Sequence, residues 1–287
     1  MKSNFLLSAL VFIASIIPFC ALAEDTNEKP LRPVNSAYTI DIGGASVLDT
    51  YLTPIRYKGV NLRLGYERLQ AMKFNPYKWS MQMAFGVNYN NVKNIVKNRT
   101  MHDLSVDFTW GMMHRWNLFN NKLRIYGGGS TTFWGGAIYN QYNSNNPVSL
   151  KINFDLNFTG MAVYNTNIGK LPITLRYQPT IPFAGVFFSP DYGEAFYEIY
   201  VGNHSGLAHF GWWGNHFEMT NLVTADLHFG NTCLRLGYRN NIRTSWICNI
   251  NTQIFTNSAV IGIAGDWINL SPKNRLNSSA KIISTLY

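Results

Sequence analysis

The chain has 287 residues, with 24 Lys and Arg against 15 Asp and Glu and a formal net charge of +9. Only 14% of the residues are charged, against roughly 25% in an average soluble domain, and 15% are aromatic. This apolar and aromatic content excludes an intrinsically disordered chain. The mean hydropathy of -0.09 excludes a polytopic helical membrane protein.

The first 23 residues are predicted to be a cleaved signal peptide. Lys2 supplies a positive charge, residues 5–20 are apolar, and the Ala-Leu-Ala run at 21–23 is typical of a cleavage site before Glu24. An uncleaved N-terminal anchor is the alternative. The rest of the chain has no apolar run of the ~20 residues that a spanning helix needs. We therefore expect an exported protein without a membrane helix, beginning with a disordered lead over residues 24–34.

After this lead, apolar and polar residues alternate with a period of two. Leu150, Ile152 and Phe154, for example, alternate with Lys151 and Asn153. Such alternation is typical of β-strands with one apolar and one polar face. In chain order, strands are predicted near residues 35–49, 58–71, 78–91, 101–116, 122–138, 148–166, 170–179, 182–189, 193–203, 216–230, 231–247 and 251–268.

The length of these runs favours a membrane barrel over a soluble sandwich. They extend over about 10 to 16 residues, whereas globular strands average about 5 to 6 and a tilted spanning strand needs about 9 to 11. Trp and Tyr recur toward the run ends, as an interfacial girdle requires. Because lipid offers no partner to backbone groups, such strands must close on themselves. The sequence predicts an all-β fold, a closed antiparallel transmembrane β-barrel over residues 35–269, in the outer membrane of a Gram-negative bacterium.

We predict about 12 strands, with a range of about 10 to 14, and an even number that places both termini on the periplasmic side. The weakest strand is 182–189, because Pro179 and Pro182 interrupt it, and without it the count is eleven. Short connections are expected at the periplasmic end and longer polar ones, such as 139–147, outside. Residues 270–287 are predicted to form a tail or a short terminal strand.

Two cysteines, Cys233 and Cys248, remain after signal cleavage. If residues 232–247 form one strand, they lie near its two ends and are too far apart to bridge. A hairpin turn at Asn240-Asn241 would instead pair them and permit a disulfide. The long strand is the favoured interpretation.

Charged residues of both signs occupy the polar faces of the predicted strands. They could pair into a hydrogen-bonded plug, whereas a selectivity filter would need one sign concentrated at a constriction. Structural packing is favoured over a conducting pore. The set comprises Arg63, Glu67, Asp103, Asp107, Arg115, Arg124, Lys151, Asp155, Arg176, Glu218, Asp226, Arg235, Arg239 and Asp266.

The positive net charge is not a nucleic-acid signal, because the basic residues are scattered and do not alternate with stacking aromatics. Arg56, Lys58, Lys93, Lys97 and Arg99 fall at predicted outer loops. There they could meet the phosphates of surface lipopolysaccharide or simply be solvated. The expected partners are therefore outer-membrane lipid and lipopolysaccharide. No protein partner is indicated, and no cofactor is predicted.

One segment departs from the alternation. Residues 202–216 (Gly-Asn-His-Ser-Gly-Leu-Ala-His-Phe-Gly-Trp-Trp-Gly-Asn-His) carry three of the six His and two of the eight Trp. Together with 219–222, 235–240 and 260–267, this run resembles a family of uncharacterised outer-membrane barrels found in Bacteroidetes and defined only as a domain of unknown function. The resemblance implies fold and location, and it brings no catalytic residues.

The functional interpretation of this segment is a lipid-active enzyme. A Ser hydroxyl beside an imidazole could attack an ester. Ser205 and His209 could meet if the segment bends, with Asn203 or Asn215 orienting the imidazole, while the neighbouring His204 is a weaker candidate. Against this, outer-membrane phospholipases and lipid A deacylases place a His and a Ser two residues apart on one strand, and the sequence has no His-x-Ser.

The alternative is a hydrogen-bonded loop in which Trp212 and Trp213 anchor the membrane interface. A metal site formed by His204, His209 and His216 matches no known zinc spacing. Asp226 and His228 share a lumen face, which a structural pair explains equally well. The sequence therefore favours a non-enzymatic outer-membrane barrel with a structural, adhesion-like or small-solute role. A lipid hydrolase of the phospholipase or lipid A deacylase type, acting through residues 203–216, is the alternative.

Overall fold

The computed structural model describes residues 30–144, 146–202, 206–230, 232–267 and 282–287, and of residue 196 only the backbone. The predicted signal peptide and most of the predicted lead lie outside the described residues. In the described residues, eleven strands and one short helix follow each other along the chain. They are β1 (Val34–Asp49), β2 (Thr53–Ala71), β3 (Trp79–Lys93), β4 (Thr100–Leu118), β5 (Leu123–Asn140), β6 (Val148–Ile168), β7 (Leu171–Phe188), α1 (Phe196–Tyr200), β8 (Ala208–Gly211), β9 (His216–Phe229), β10 (Thr232–Ile247) and β11 (Ile250–Trp267).

Ten of these strands close into one antiparallel barrel. Strands β1 to β7 pair in chain order, β7 then pairs with β9, β9 with β10 and β10 with β11, and β11 pairs with β1 to close the barrel. The closing pair of β1 and β11 runs from Val34 opposite Trp267 to Asp49 opposite Thr252. The predicted all-β closed barrel is confirmed. We call the end at which β1 begins and β11 ends the terminal end, and it also holds the turns that follow β2, β4, β6 and β9. The opposite end, which holds the other connections between strands, is the loop end.

The strand count differs from twelve for two reasons. The separately predicted strands 170–179 and 182–189 are one strand, β7, in which Pro179 lies opposite Asn221 and Pro182 lies opposite Asn157 beside a register shift. Proline has no N–H group to donate to the ladder, and a bulge tolerates this missing donor. Residues 193–202 of the predicted strand 193–203 instead belong to a loop containing α1, because Gly193 and Gly202 have φ values of +89° and +120°, which end an extended backbone. Residue 203 lies outside the described residues.

The strand after this loop is interrupted. Both β8 and β9 pair with β7, so they run in the same direction along one edge. Between them, residues 212–215 loop out in a single helical turn, in which the His216 amide donates to the Trp212 carbonyl at 2.8 Å. The Trp-Trp-Gly-Asn sequence therefore projects from the barrel wall while the chain on either side stays in it.

The two faces of the barrel differ in polarity. Outward positions along β1 and β2, such as Ile40, Ile42, Leu62 and Leu64, are exposed apolar side chains, and the other strands continue this belt. Inward positions are mostly buried polar or charged groups. Among the described residues, no helix is long and apolar enough to cross a membrane. The belt is what a barrel wall in contact with lipid requires.

Apolar residues close each end of the lumen. At the loop end, Val47, Tyr57 and Trp134 belong to one buried cluster. At the terminal end, Leu286 is fully buried among side chains that include Leu69 and Met113. The described part of the predicted tail, residues 282–287, thus enters the barrel, and only Ile282 forms a β-bridge, parallel to Leu31. Residues 268–281 lie outside the described residues.

The favoured interpretation of the cysteines is confirmed. β10 is continuous from Thr232 to Ile247, and Asn240 and Asn241 lie within its ladder, so the hairpin turn is wrong. Cys233 and Cys248 lie at opposite ends of this strand as free thiols.

Candidate functional site

The centre of the lumen is crossed by a buried chain of ion pairs. Glu67 on β2 accepts hydrogen bonds from Arg176 on β7 at 2.7 Å and from Arg235 on β10 at 2.8 Å. Arg235 also donates two bonds of 2.7 Å to Asp226. Such charges are stable inside a protein only when every one is paired and hydrogen-bonded. These ion pairs therefore tie β2 to the adjacent strands β7, β9 and β10 on another part of the wall.

A second group of pairs lies nearer the loop end. Arg63 donates to Asp107 at 2.9 Å and lies 3.8 Å from Asp41, which also accepts a bond from Arg239 at 2.7 Å. Lys151 pairs with Asp49 at 3.1 Å. Most residues of the predicted lumen set thus find partners of opposite sign.

Four further members of the predicted set have other partners. Arg115 and Arg124 donate to main-chain oxygens of Ser284 and Tyr287. Asp103 accepts from Asn90, and Asp266 accepts from Ser284. Arg115 and Arg124 hold the terminal segment in the barrel mouth.

Four further residues that the predicted lumen set omits form ion pairs inside the described barrel. They are Asp41, Asp49, His216 and Arg243. The sequence does indicate that Arg243 faces the lumen, because side chains alternate along a strand and Arg243 therefore shares a face with Arg235 and Arg239. The predicted strand 216–230 begins at the same residue as β9, but the sequence groups His216 with the outer segment 202–216 and not with the lumen residues.

The predicted catalytic residues are only partly placed. Asn203, His204 and Ser205 lie outside the described residues. His209 is half-buried, and its Nε2 lies 3.0 Å from the Ser189 carbonyl oxygen. Asn215 accepts from the Trp212 amide and donates to the Phe210 carbonyl, so its side chain caps its own turn. Its described bonds do not include His209.

Trp212 and Trp213 are exposed on the projecting turn. The Trp213 indole donates to the Pro182 carbonyl, which ties the turn to β7. The Trp212 ring covers Gly214, where an added Cβ would lie 2.4 Å from the ring. This arrangement fits interface anchors, and their anchoring role stays a prediction.

Asp226, His228 and His216 have the following partners among the described residues. Asp226 pairs with Arg235, whereas His228 bonds the Thr174 hydroxyl at 2.9 Å and Cys233 at 3.1 Å. His216 does not stay with the outer segment but turns into the lumen, where it is 5% exposed.

At the loop end of the lumen, His216 meets two carboxylates. Its Nε2 lies 3.2 Å from Asp155 Oδ1, and Glu218 lies beside them on the same face of β9. Asp155 is on β6, and it reaches across β7 at Gly185, where a Cβ would lie 2.2 Å from its carboxylate. The missing side chain on the intervening strand is thus what brings these residues together.

The rim of this cluster is formed by a cation and two aromatic rings. Arg243 donates to Glu218 Oε2 at 3.0 Å, and its guanidinium lies 3.7 Å from the centre of the Trp134 ring. The Phe187 ring stacks on the His216 imidazole at 4.9 Å. Aromatic packing on both sides holds the ionisable groups in fixed positions.

Comparison with known families bears on this architecture. A family model described as "Protein of unknown function (DUF3316)" matches residues 5–274. The chain belongs to the DUF3316 family. The predicted resemblance to a domain of unknown function is confirmed, while the Bacteroidetes origin stays a prediction. None of the curated proteins compared with this DUF3316 chain matches it.

Several solved structures of outer-membrane barrels are similar to the DUF3316 chain. The outer membrane protease OmpT from Escherichia coli has 7% identity and a TM-score of 0.48, over 86% of this chain and 99% of its own. The transport unit of the autotransporter AIDA-I from Escherichia coli has 8% identity and a TM-score of 0.47, over 92% and 98%. The translocator domain of the autotransporter NalP from Neisseria meningitidis has 9% identity and a TM-score of 0.34, over 92% and 95%. Similarity at this level says nothing about activity.

Proposed function

We propose that this chain is a non-conducting outer-membrane barrel that acts through its loop end as an adhesion-like surface-binding protein. The observation that carries the proposal is the lumen, which Arg176, Glu67 and Arg235 cross from wall to wall. A conducting pore needs a continuous water-filled path with sites that ions can leave. Here charges of both signs neutralise each other in the middle of that path.

The terminal end of the lumen and the cavity in its middle support the same conclusion. Residues 282–287 fill the terminal end, where Arg115, Arg124 and the Tyr126 hydroxyl bind main-chain oxygens of that segment. Between the ends, the lumen cavity lined by Arg63, Glu67 and Arg235 has a volume of about 120 Å³. That is room for a few water molecules, and it is small for a solute path.

The loop end offers a surface for binding. In the loop between β7 and β8, Tyr192, Tyr197 and Tyr200 are 63%, 72% and 85% exposed. The Tyr51 hydroxyl donates to the Glu194 carbonyl at 2.7 Å and fixes this loop to the turn after β1. Tyrosine supplies contact area at low entropic cost, which is why binding loops use it. Exposed tyrosines on an anchored loop favour recognition of another molecule.

Basic residues on the outer face favour lipopolysaccharide as one partner. Lys58 and Lys93 are directly opposite each other on β2 and β3, and both are exposed near the loop end. Like charges in this position repel and cost stability. A phosphate between them would remove that repulsion, and Arg99 lies on the loop above.

Planar-bilayer recording tests the closed lumen. The purified barrel should insert without steady conductance, whereas replacing Glu67, Arg176 and Arg235 together by alanine should produce measurable openings. A steady open conductance of the unaltered protein would contradict the proposal.

Binding of purified lipopolysaccharide tests the surface role. The double change Lys58→Glu and Lys93→Glu should weaken binding by at least about tenfold at low salt, because two phosphate contacts become repulsive. The control is Lys122→Glu with Lys170→Glu, the same charge change in turns at the terminal end. Equal weakening by both pairs would contradict a loop-end site.

The lipid hydrolase alternative is tested in parallel. Phospholipid or lipid A hydrolysis by the purified protein, abolished by Ser205→Ala and by His209→Ala, would replace the surface-binding proposal. Without hydrolysis, the same variants serve as folding controls for the outer segment.

A further inference from the structure

We propose that Asp155, His216 and Glu218 bind one divalent transition-metal ion at the loop end of the lumen. Their ligand atoms, one imidazole nitrogen and two carboxylate oxygens, all lie within 4.8 Å of one another. The proposal is independent of the surface role, because none of these groups belongs to the exposed loops.

The distances fit ligands that share an ion. Asp155 Oδ1 lies 3.2 Å from His216 Nε2 but accepts no hydrogen bond from a described residue. Zinc bonds to N and O ligands are about 2.0 to 2.2 Å long, so two neighbouring ligands of one ion lie roughly 3 to 3.5 Å apart. A buried carboxylate oxygen with this spacing and no donor is a group that still needs a cation.

The site is buried and built by its surroundings. Asp155 is 1% exposed and His216 is 5% exposed. The Phe187 ring stacks on the imidazole, and Gly185 leaves the space that the Asp155 carboxylate occupies. A surface ion pair would be solvated and mobile, whereas these groups are held in place before any ion arrives.

The charge balance also allows a cation. Arg243 neutralises Glu218 by donating to both of its carboxylate oxygens, and its guanidinium remains on the Trp134 ring. The Asp155 carboxylate has only the Asn153 amide and the His216 ring as described partners. A divalent ion would compensate this second negative charge without displacing Arg243.

The donor set indicates the class of ion. One imidazole with two carboxylates suits Zn²⁺, Mn²⁺, Fe²⁺ or Co²⁺, whereas Ca²⁺ and Mg²⁺ prefer oxygen alone. Three protein ligands leave a fourth position open. A cavity of about 20 Å³ adjoins His216 and is lined by residues that include Lys151 and Ser245. That volume admits one water molecule as the remaining ligand.

Titration of the full-length, metal-stripped and tag-free barrel with Zn²⁺ and Co²⁺ by calorimetry tests the site. We expect one ion per chain, with affinity at least about tenfold weaker in Asp155→Asn and in His216→Gln. Gly185→Ala should weaken binding similarly, because the added methyl group displaces the Asp155 carboxylate. His102→Gln is the matched control, since His102 stacks on Tyr89 outside the lumen.

Two outcomes would overturn the proposal. One is the absence of stoichiometric binding to the folded wild-type protein, and the other is unchanged affinity in folded His216→Gln. Heat-modifiability on a gel shows whether each variant has folded. If the ligand variants fail to fold, the visible spectrum of Co²⁺ on the wild-type protein decides: d–d bands that Zn²⁺ abolishes support the site, and their absence refutes it.

Discussion

At the scale of single residues, glycine decides which charges can meet. Arg63 on β2 reaches Asp107 on β4 across Gly86 on β3, where an added Cβ would lie 2.0 Å from the guanidinium. Asp155 crosses Gly185 to His216 in the same way. In both places, the missing side chain on the strand between them leaves the space in which the two charged groups meet.

The central ion pairs predict a large cost for removing one partner. Glu67→Gln leaves Arg176 buried without its carboxylate, and breaking a buried pair in this way costs about 3 to 5 kcal/mol. Urea unfolding of the refolded barrel should show this as a lower midpoint. Glu198→Gln in the exposed loop is the control and should cost less than about 1 kcal/mol. A similar midpoint in both variants would show that the central pairs contribute little.

The surroundings of Cys248, in the turn between β10 and β11, predict that its thiol reacts slowly with alkylating agents. Burial, followed by the hydrogen bond to Asp191 and the nearby carboxylates, raises the pKa of Cys248 from 9.0 to about 11. Since the thiolate reacts and the thiol does not, Cys248 should alkylate about a hundredfold more slowly at pH 8 than a thiol with a pKa of 9. Peptide-resolved iodoacetamide labelling from pH 8 to 11 measures this. The rate should rise with pH, Asp191→Asn should increase it at pH 8, and a rate equal to that of free cysteine would contradict the assignment.

At the scale of elements, the terminal segment acts as part of the core. Leu286 is fully buried, whereas Ile282 in the same segment is 54% exposed. Leu286→Ala should therefore destabilise the barrel by about 2 to 5 kcal/mol, because it leaves a cavity among packed apolar side chains. Thermal unfolding measures the change, with Ile282→Ala as the control. Equal effects of the two substitutions would mean that the segment does not pack in the lumen.

The interruption between β8 and β9 is also a property of an element. Four residues leave the ladder at Trp212–Asn215, and the chain re-enters it with His216 facing inward. The same local sequence therefore places two tryptophans outside and one histidine inside. A single face assigned to the whole segment could not describe both.

At the scale of the whole molecule, the barrel wall predicts a depth-dependent cost of charge. Leu64 lies near the middle of β2 between Ile40 and Val87 and faces outward, whereas Ile55 lies at the loop end of the same strand. Leu64→Arg should cost about 2 to 4 kcal/mol in a bilayer, and Ile55→Arg about 0 to 1 kcal/mol. Denaturant titration of folding into lipid vesicles compares the two. An equal cost at both positions would argue against a membrane at this height.

The sequence by itself determined the fold class and the polarity of each face. In a strand, successive side chains point to opposite sides, so a run such as Leu150 to Phe154 predicts which residues face lipid and which face the lumen. The length of these runs favours a membrane barrel, because they are longer than the strands of globular proteins and long enough for a tilted membrane-spanning strand. The same alternation predicts β10 as one continuous strand with Cys233 and Cys248 at opposite ends and unbridged.

Only the tertiary structure decided which residues meet inside the barrel. Alternation says that Asp155 and His216 point inward, but it carries no distance between strands β6 and β9. That distance depends on closure of the sheet, on the gap at Gly185 and on the turn at residues 212–215. Packing of residues 282–287 into the lumen was equally invisible, because burial of a tail depends on the volume that the closed wall leaves. Periodicity is a local property of the sequence, whereas contacts between side chains across the lumen depend on how the whole sheet closes into a barrel.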